Sequence, residues 1–281
     1  MIKQPTVDVN QDPGLHKKPI VSPTKKAPGL GKHKLNWVRQ KPDSRDIPYK
    51  LSPLVTLPES VDLRQWCSPV DDQGQLGSCT GNSIAGAIDL VDRKYNSKQT
   101  QVSRLFIYYY ERVMEGDVGT DGGAQIRDGI KVTYTYGAPL ETLWPYNISK
   151  FTVAPSSAAV ADAATRKVTL YEAAADFNAV QNALASGYPV VIGFDVYSSF
   201  ESQQVATTGM MPYPNVNQEQ LLGGHAVCIV GYDNTKNYFI VRNSWGTSWG
   251  DNGYFYMPYQ VIQNTNMSSD FWVIKSVNDP S

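Results

Sequence analysis

From Ile84 onward the apolar residues Ile84, Ile88, Val91 and Tyr95 recur at spacings of four, three and four, which predicts a helix with one buried face. The preceding stretch, 74–81, carries Gly74, Gly77 and Gly81 and no such period, so a loop delivers Cys79 to a helix N-terminus. A second helix is expected over 103–116, with Ser103 as its cap and Leu105, Tyr109 and Val113 four apart. A third spans 124–137, closed by Gly137 and Pro139, and the tyrosines at 108–110 read as packing. Around 152–164 the periodicity lapses into Ala, Ser and Pro, marking a boundary between halves. Beyond it lie a strand at 168–171, a helix from Asp176 to Gly187, a strand at 189–197, and three strands in HAVCIVGYD, NYFIVRNS and GYFYMP. The expectation is an α+β protein with a mainly helical half at 58–150 and a mainly β half at 151–257; no pattern assigns 258–281.

Composition changes the picture at the N-terminus. Residues 1–57 hold eight of the eighteen prolines and eleven Lys and Arg against four Asp, a net +7; the overall −1 therefore leaves −8 on the other 224 residues. Such a segment is extended or disordered in isolation, and a basic arm often binds nucleic acid or an acidic membrane. Here the acidic partner is the body of the same molecule, so no nucleic acid is expected. The later part, NWVRQKPDSRDIPYKL, mixes Trp37, Ile47, Tyr49 and Leu51 with charge, as a docking strip or as a mobile linker would. The first thirty residues lack the apolar run of a secretory signal, and no stretch approaches the roughly 20 apolar residues of a membrane helix. A soluble, intracellular monomer is the expectation. Three scattered cysteines, Cys67, Cys79 and Cys228, provide neither a disulfide framework nor paired metal ligands, so no metal or cofactor is expected.

The helix N-terminus favours negative charge, and therefore a Cys79 thiolate, although a free cysteine is as often a small buried hydrophobe. A thiol nucleophile needs a base. His16 and His33 lie in the tail, which leaves His225 in the body, where a lone histidine is by default a satisfied core residue. The strands at 225–232 and 238–243 are joined by DNTKN, and a hairpin folding about residue 234 places His225 opposite Asn243, give or take one or two residues. The Asn243 amide oxygen then accepts from Nδ1–H and points Nε2 at the thiol. Trp245 and Trp249 in NSWGTSWG shield that bond and wall a cleft, or form a sheet-edge aromatic cluster. Gln73 and the Cys79 N–H supply two oxyanion donors.

With these residues assembled, the chain resembles the papain-like cysteine peptidases. QGQLGSC matches the family's glutamine and cysteine block, GGHAVCIVGYD its histidine strand and NYFIVRNSWGTSWGDNGYFYMP its asparagine block; LPESVDLR is similar to the start of a mature enzyme. The resemblance covers about 58–257. It implies a two-lobed fold, with a helical half carrying the cysteine helix and an antiparallel, barrel-like half carrying His and Asn. It also implies a cysteine endopeptidase acting on protein or peptide substrates through a thioester. The TDGG loop resembles the glycine pair that meets an extended substrate, implicating Gly122 and Gly123, with Gly224 and Trp245 as further substrate-binding residues.

Departures shape the expectation. Leu76 stands where the family has a cysteine three before the nucleophile, and no partner occurs near Thr120, so that disulfide is missing as a pair; Cys67 and Cys228 are expected as core thiols. Thr80 replaces the usual tryptophan after the nucleophile. No histidine remains for an occluding loop of the cathepsin B kind, which disfavours dipeptide trimming. WVRQKPDSRD resembles a motif of short-prosegment bacterial members. Residues around 30–55 are therefore expected to cross or flank the cleft as an intramolecular inhibitor, released by acid or by cleavage near Leu57. Two alternatives stay open: a transpeptidase or ligase on the same scaffold, and a non-catalytic peptide-binding relative.

Overall fold

The computed structural model describes residues 33–52 and 56–278. His16, residues 30–32 and Pro53 fall outside them. In chain order the elements are β1 (Ser60–Asp62), α1 (Cys79–Val91), α2 (Arg104–Met114), α3 (Ile126–Thr135), α4 (Ser157–Ala163), β2 (Lys167–Ala173), α5 (Phe177–Ala185), β3 (Val190–Tyr197), α6 (Gln203–Thr208), β4 (Leu221–Asp233), β5 (Tyr238–Arg242), β6 (Tyr254–Pro258), α7 (Tyr259–Gln263) and β7 (Ser268–Asn278).

The expected caps operate: the Ser103 side chain accepts from Phe106 N at the head of α2, and Asp176 from Ala179 N at the head of α5. Helix α1 is buried along its whole length because it lies between the other helices and the sheet. Two glycines permit that approach. A Cβ at Gly81 would meet Arg104 O of α2 at 2.7 Å, and one at Gly86 would meet Arg242 Nε of β5 at 2.9 Å. A smaller cluster around Leu105, Phe106, Tyr108 and Trp144 fills the helical side.

The sheet is antiparallel, in the order β2-β7-β3-β4-β5-β6, with β1 paired on β4. Among the described residues this path stays open, so the half expected to be barrel-like is an unclosed sheet. The 258–281 stretch, to which no pattern assigned an element, contributes α7 and β7. Strand β7 is interior, between β2 and β3, so Phe271–Ile274 is buried on both faces and lacks the alternation of a half-exposed strand. The β4–β5 pairing also differs from expectation. Asp233 pairs with Tyr238 and Cys228 with Arg242, so the turn centres between Thr235 and Lys236 instead of at Asn234. Asp233 Oδ1 accepts from both Thr235 N and Lys236 N, which lengthens the turn, and a bulge between Ile229 and Gly231 shifts the pairing again.

Candidate active site

Cys79 opens α1 and is fully buried. The loop before it is tied down from several sides: Gln73 N donates to Ser244 O (2.8 Å), Ser78 Oγ meets Tyr146 OH (2.6 Å), and Gly77 N donates to both carboxylate oxygens of Asp121 (2.9 and 3.1 Å). Asp121 thus joins the two segments that the missing disulfide would have linked. Leu76 is buried in the helical-side cluster, and Cys67, Cys79 and Cys228 are all free thiols. Thr80 turns inward and donates to the buried Glu111 at 2.7 Å, whose carboxyl burial pushes well above its ordinary range.

His225 and Asn243 are brought together: Asn243 Oδ1 lies 2.8 Å from His225 Nε2 and also accepts from Ser244 N at 2.8 Å. The ring is the reverse of the expected one. Nε2 faces the asparagine, and Nδ1 is buried with no hydrogen-bond partner among the described residues. Asn243 lies just past the last β4–β5 pair, so it reaches the ring diagonally. Trp245 stacks on His225 at 4.9 Å and meets Trp249 edge-on at 5.0 Å; shield and aromatic cluster are one structure. Gln73 is buried, its Oε1 accepting from Ser244 Oγ (2.7 Å) and its Nε2 donating to Leu76 O (3.0 Å).

Residues 33–38 run through the cleft. His33 stacks on Trp245 at 3.9 Å, so His225 is not the only histidine at the site. Lys34 O lies 3.3 Å from Gln73 Nε2, and Lys34 Nζ 2.6 Å from Asp121. Trp37 N donates to Gly224 O and Val38 N to Ala124 O, both at 3.0 Å, so the strap pairs with both walls. The Trp37 indole, 6% exposed, fills a pocket between Gly193 and Gly224 and donates to Asp270 at 3.1 Å. Side chains at Gly193 or Gly123 would overlap Trp37 and Asn36. Of the expected glycine pair, the contacts fall on Gly123 and on the neighbours Asp121 and Ala124, to either side of Gly122.

Burial sets the protonation. The Cys79 thiol is pushed up to about 11 by desolvation, against the pull of Ala226, Asn36 and Thr80 backbone groups. His225 is lowered to about 4 by desolvation, with Asn243 opposing and His33 adding to the lowering. Beneath the strap, burial therefore favours the neutral form of both thiol and imidazole.

Residues 57–274 match the model of the papain family of cysteine proteases. The chain belongs to that family. It is 44% identical over 274 residues to an uncharacterized peptidase C1-like protein of Acanthamoeba polyphaga mimivirus, covering 87% of each chain. It is 32% identical over 216 residues to cysteine proteinase 3 of Dictyostelium discoideum, covering 75% of this chain and 62% of that protein. Among solved structures it resembles xylellain, a cysteine protease from Xylella fastidiosa (TM-score 0.81, 39% identity, 87% of this chain and 97% of that one). It also resembles digestive procathepsin L 3 of Tenebrio molitor (TM-score 0.67, 25% identity, 86% and 75%). This papain-family protein is a cysteine peptidase, and no helix among its described residues is long and apolar enough to cross a membrane. Sequence reasoning missed Asp121, Ser244 and Asp270 at its cleft. Asp121 adjoins the glycine pair, but only the fold gathers its partners.

Proposed function

We propose that this papain-family peptidase is an endopeptidase working through Cys79, His225, Asn243 and Gln73, and that residues 33–52 hold it shut. In the open enzyme the thiol proton passes to His225 Nδ1, and the thiolate attacks a peptide carbonyl whose developing oxyanion is held by Gln73 Nε2 and Cys79 N–H. The imidazolium then protonates the departing amine, and water, deprotonated by the same ring, cleaves the thioester to acid and thiol. Asn243 keeps Nε2 occupied so that Nδ1 stays turned to sulfur. Gly123, Ala124 and Gly224 present backbone to an extended chain, and Trp245 walls the far side; Gly122 keeps the loop free of side chains.

The observation that carries this reading is the Lys34 carbonyl on Gln73 Nε2 while the following residues pair with both walls: the strap takes the place of a substrate carbonyl. The proform of the Tenebrio relative is consistent with such an intramolecular inhibitor. The test compares peptide hydrolysis by the full chain, a form beginning at Pro58, and that form carrying Cys79→Ala. The shortened form should exceed the full chain by about 100-fold, the order expected when a buried aromatic anchor is removed, and Cys79→Ala should abolish turnover. Equal rates for the first two would sink the inhibitory role; turnover by Cys79→Ala would sink the nucleophile.

A further inference from the structure

The two proposed oxyanion donors stand at opposite ends of one loop, the Gln73 amide at its start and the Cys79 N–H at its finish. Gly74, with φ 55°, and Gly77 lie between them, so the backbone alone does not fix the separation of the ends. One side chain bridges them. Tyr146 OH donates to Gln73 O at 2.9 Å and lies 2.6 Å from Oγ of Ser78, the residue before the nucleophile.

The protons along this bridge run one way. Asn82 Nδ2 donates to Ser78 Oγ at 3.0 Å, the Ser78 hydroxyl donates in turn to Tyr146 OH, and the phenol proton goes to Gln73 O. The phenol is itself held in place. Tyr146 N donates to Glu141 Oε1 at 2.6 Å, and Trp144 O accepts from Ser103 Oγ at 2.6 Å at the head of α2. The Arg104 guanidinium lies 4.0 Å from the ring centre while donating to Asn82 Oδ1 at 3.1 Å. All these partners belong to the body, so the bridge outlasts removal of the strap.

We infer that Tyr146 is a positioning residue that sets the spacing of the two oxyanion donors, acting on Gln73 through its carbonyl and on Cys79 through Ser78. The inference rests on the function proposed above. Such donors act as charge develops on the carbonyl oxygen, so an error in their spacing lowers kcat and leaves KM in place. Losing a whole donor costs about 100-fold to 1,000-fold, and loosening the pair should cost less, about tenfold.

The experiment uses the full chain carrying Trp37→Ala, which weakens the strap, with and without Tyr146→Phe, which keeps the ring beside Arg104 and deletes only the hydroxyl. Two rates are compared: hydrolysis of a peptide, which needs the oxyanion donors, and alkylation of Cys79 by iodoacetamide, a displacement at saturated carbon that forms no oxyanion. Tyr146→Phe should lower kcat about tenfold with KM within about twofold, and should leave the alkylation rate and its pH profile within about twofold. With Gln73→Ala also present, Tyr146→Phe should cost less than about threefold further, because one of the donors it positions is already gone. Unchanged hydrolysis overturns the inference, and so does a parallel fall in alkylation, which would place the damage at the thiol or in the fold. An undiminished loss in the Gln73→Ala background overturns it too. If Gln73→Ala lowers hydrolysis and Tyr146→Phe does not, the proposed function stands and only this inference falls; if Gln73→Ala leaves hydrolysis intact, the proposed oxyanion role fails and this inference with it.

Discussion

The strap changes character near Gln40. Its inner part, 33–40, is buried at Leu35 and Trp37, pairs its backbone with both walls and touches Gln73 and Trp245. Its outer part, 41–52, leaves Ile47 49% exposed and is held by polar links at separate points. Asp46 makes a two-pronged ion pair with Arg127 at 2.8 and 2.5 Å, Ile47 and Tyr49 exchange backbone bonds with Ala173, and Tyr49 and Ser52 bond to Asn182. The two parts have different physics. Apolar burial and filled glycine-walled space give the inner part its hold, whereas the outer part sets where the inner one is kept. Charge alone does not explain the docking: Lys34 meets Asp121 as the basic tail suggests, but at Asp46 the strap supplies the acid.

The largest effect should come from Trp37→Ala in the full chain. It empties a buried pocket and leaves Asp270 without its indole donor, and hydrolysis should rise by about 30-fold to 100-fold. The outer part is tested by Asp46→Asn, which leaves the Arg127 guanidinium, 7% exposed, without its counter-charge. Activity should rise by about tenfold, less than for Trp37→Ala. If Asp46→Asn matched or exceeded Trp37→Ala, the division between hold and tether would be wrong.

Much of this was legible in the sequence because it is local. The period from Ile84 located α1, caps at Ser103 and Asp176 were read from single residues, and the spacing of two strands brought His225 to Asn243. The remainder depends on distant partners. The β4–β5 register follows from a bulge and a lengthened turn, and the ring orientation of His225 is a side-chain choice; strand counting contains neither. Strand β7 hides because burial on both faces erases alternation. The Trp37 pocket combines Gly193 of β3, Gly224 of β4 and Asp270 of β7, and Asp121 gathers Lys34, Gly77 and Tyr108 from three segments. No window of sequence contains either set.

The central claim is that Cys79 is a nucleophile activated by His225 once the strap is gone. It is tested most directly by the rate of Cys79 alkylation with uncharged iodoacetamide against pH, in the Pro58 form, in that form with His225→Ala, and in the full chain. The account predicts reaction persisting well below pH 7 in the Pro58 form, a shift towards the free-thiol value of about 8.5 in His225→Ala, and protection in the full chain. A thiol that titrates near about 8.5 in the Pro58 form, with or without His225, would contradict it and favour a peptide-binding relative without catalysis.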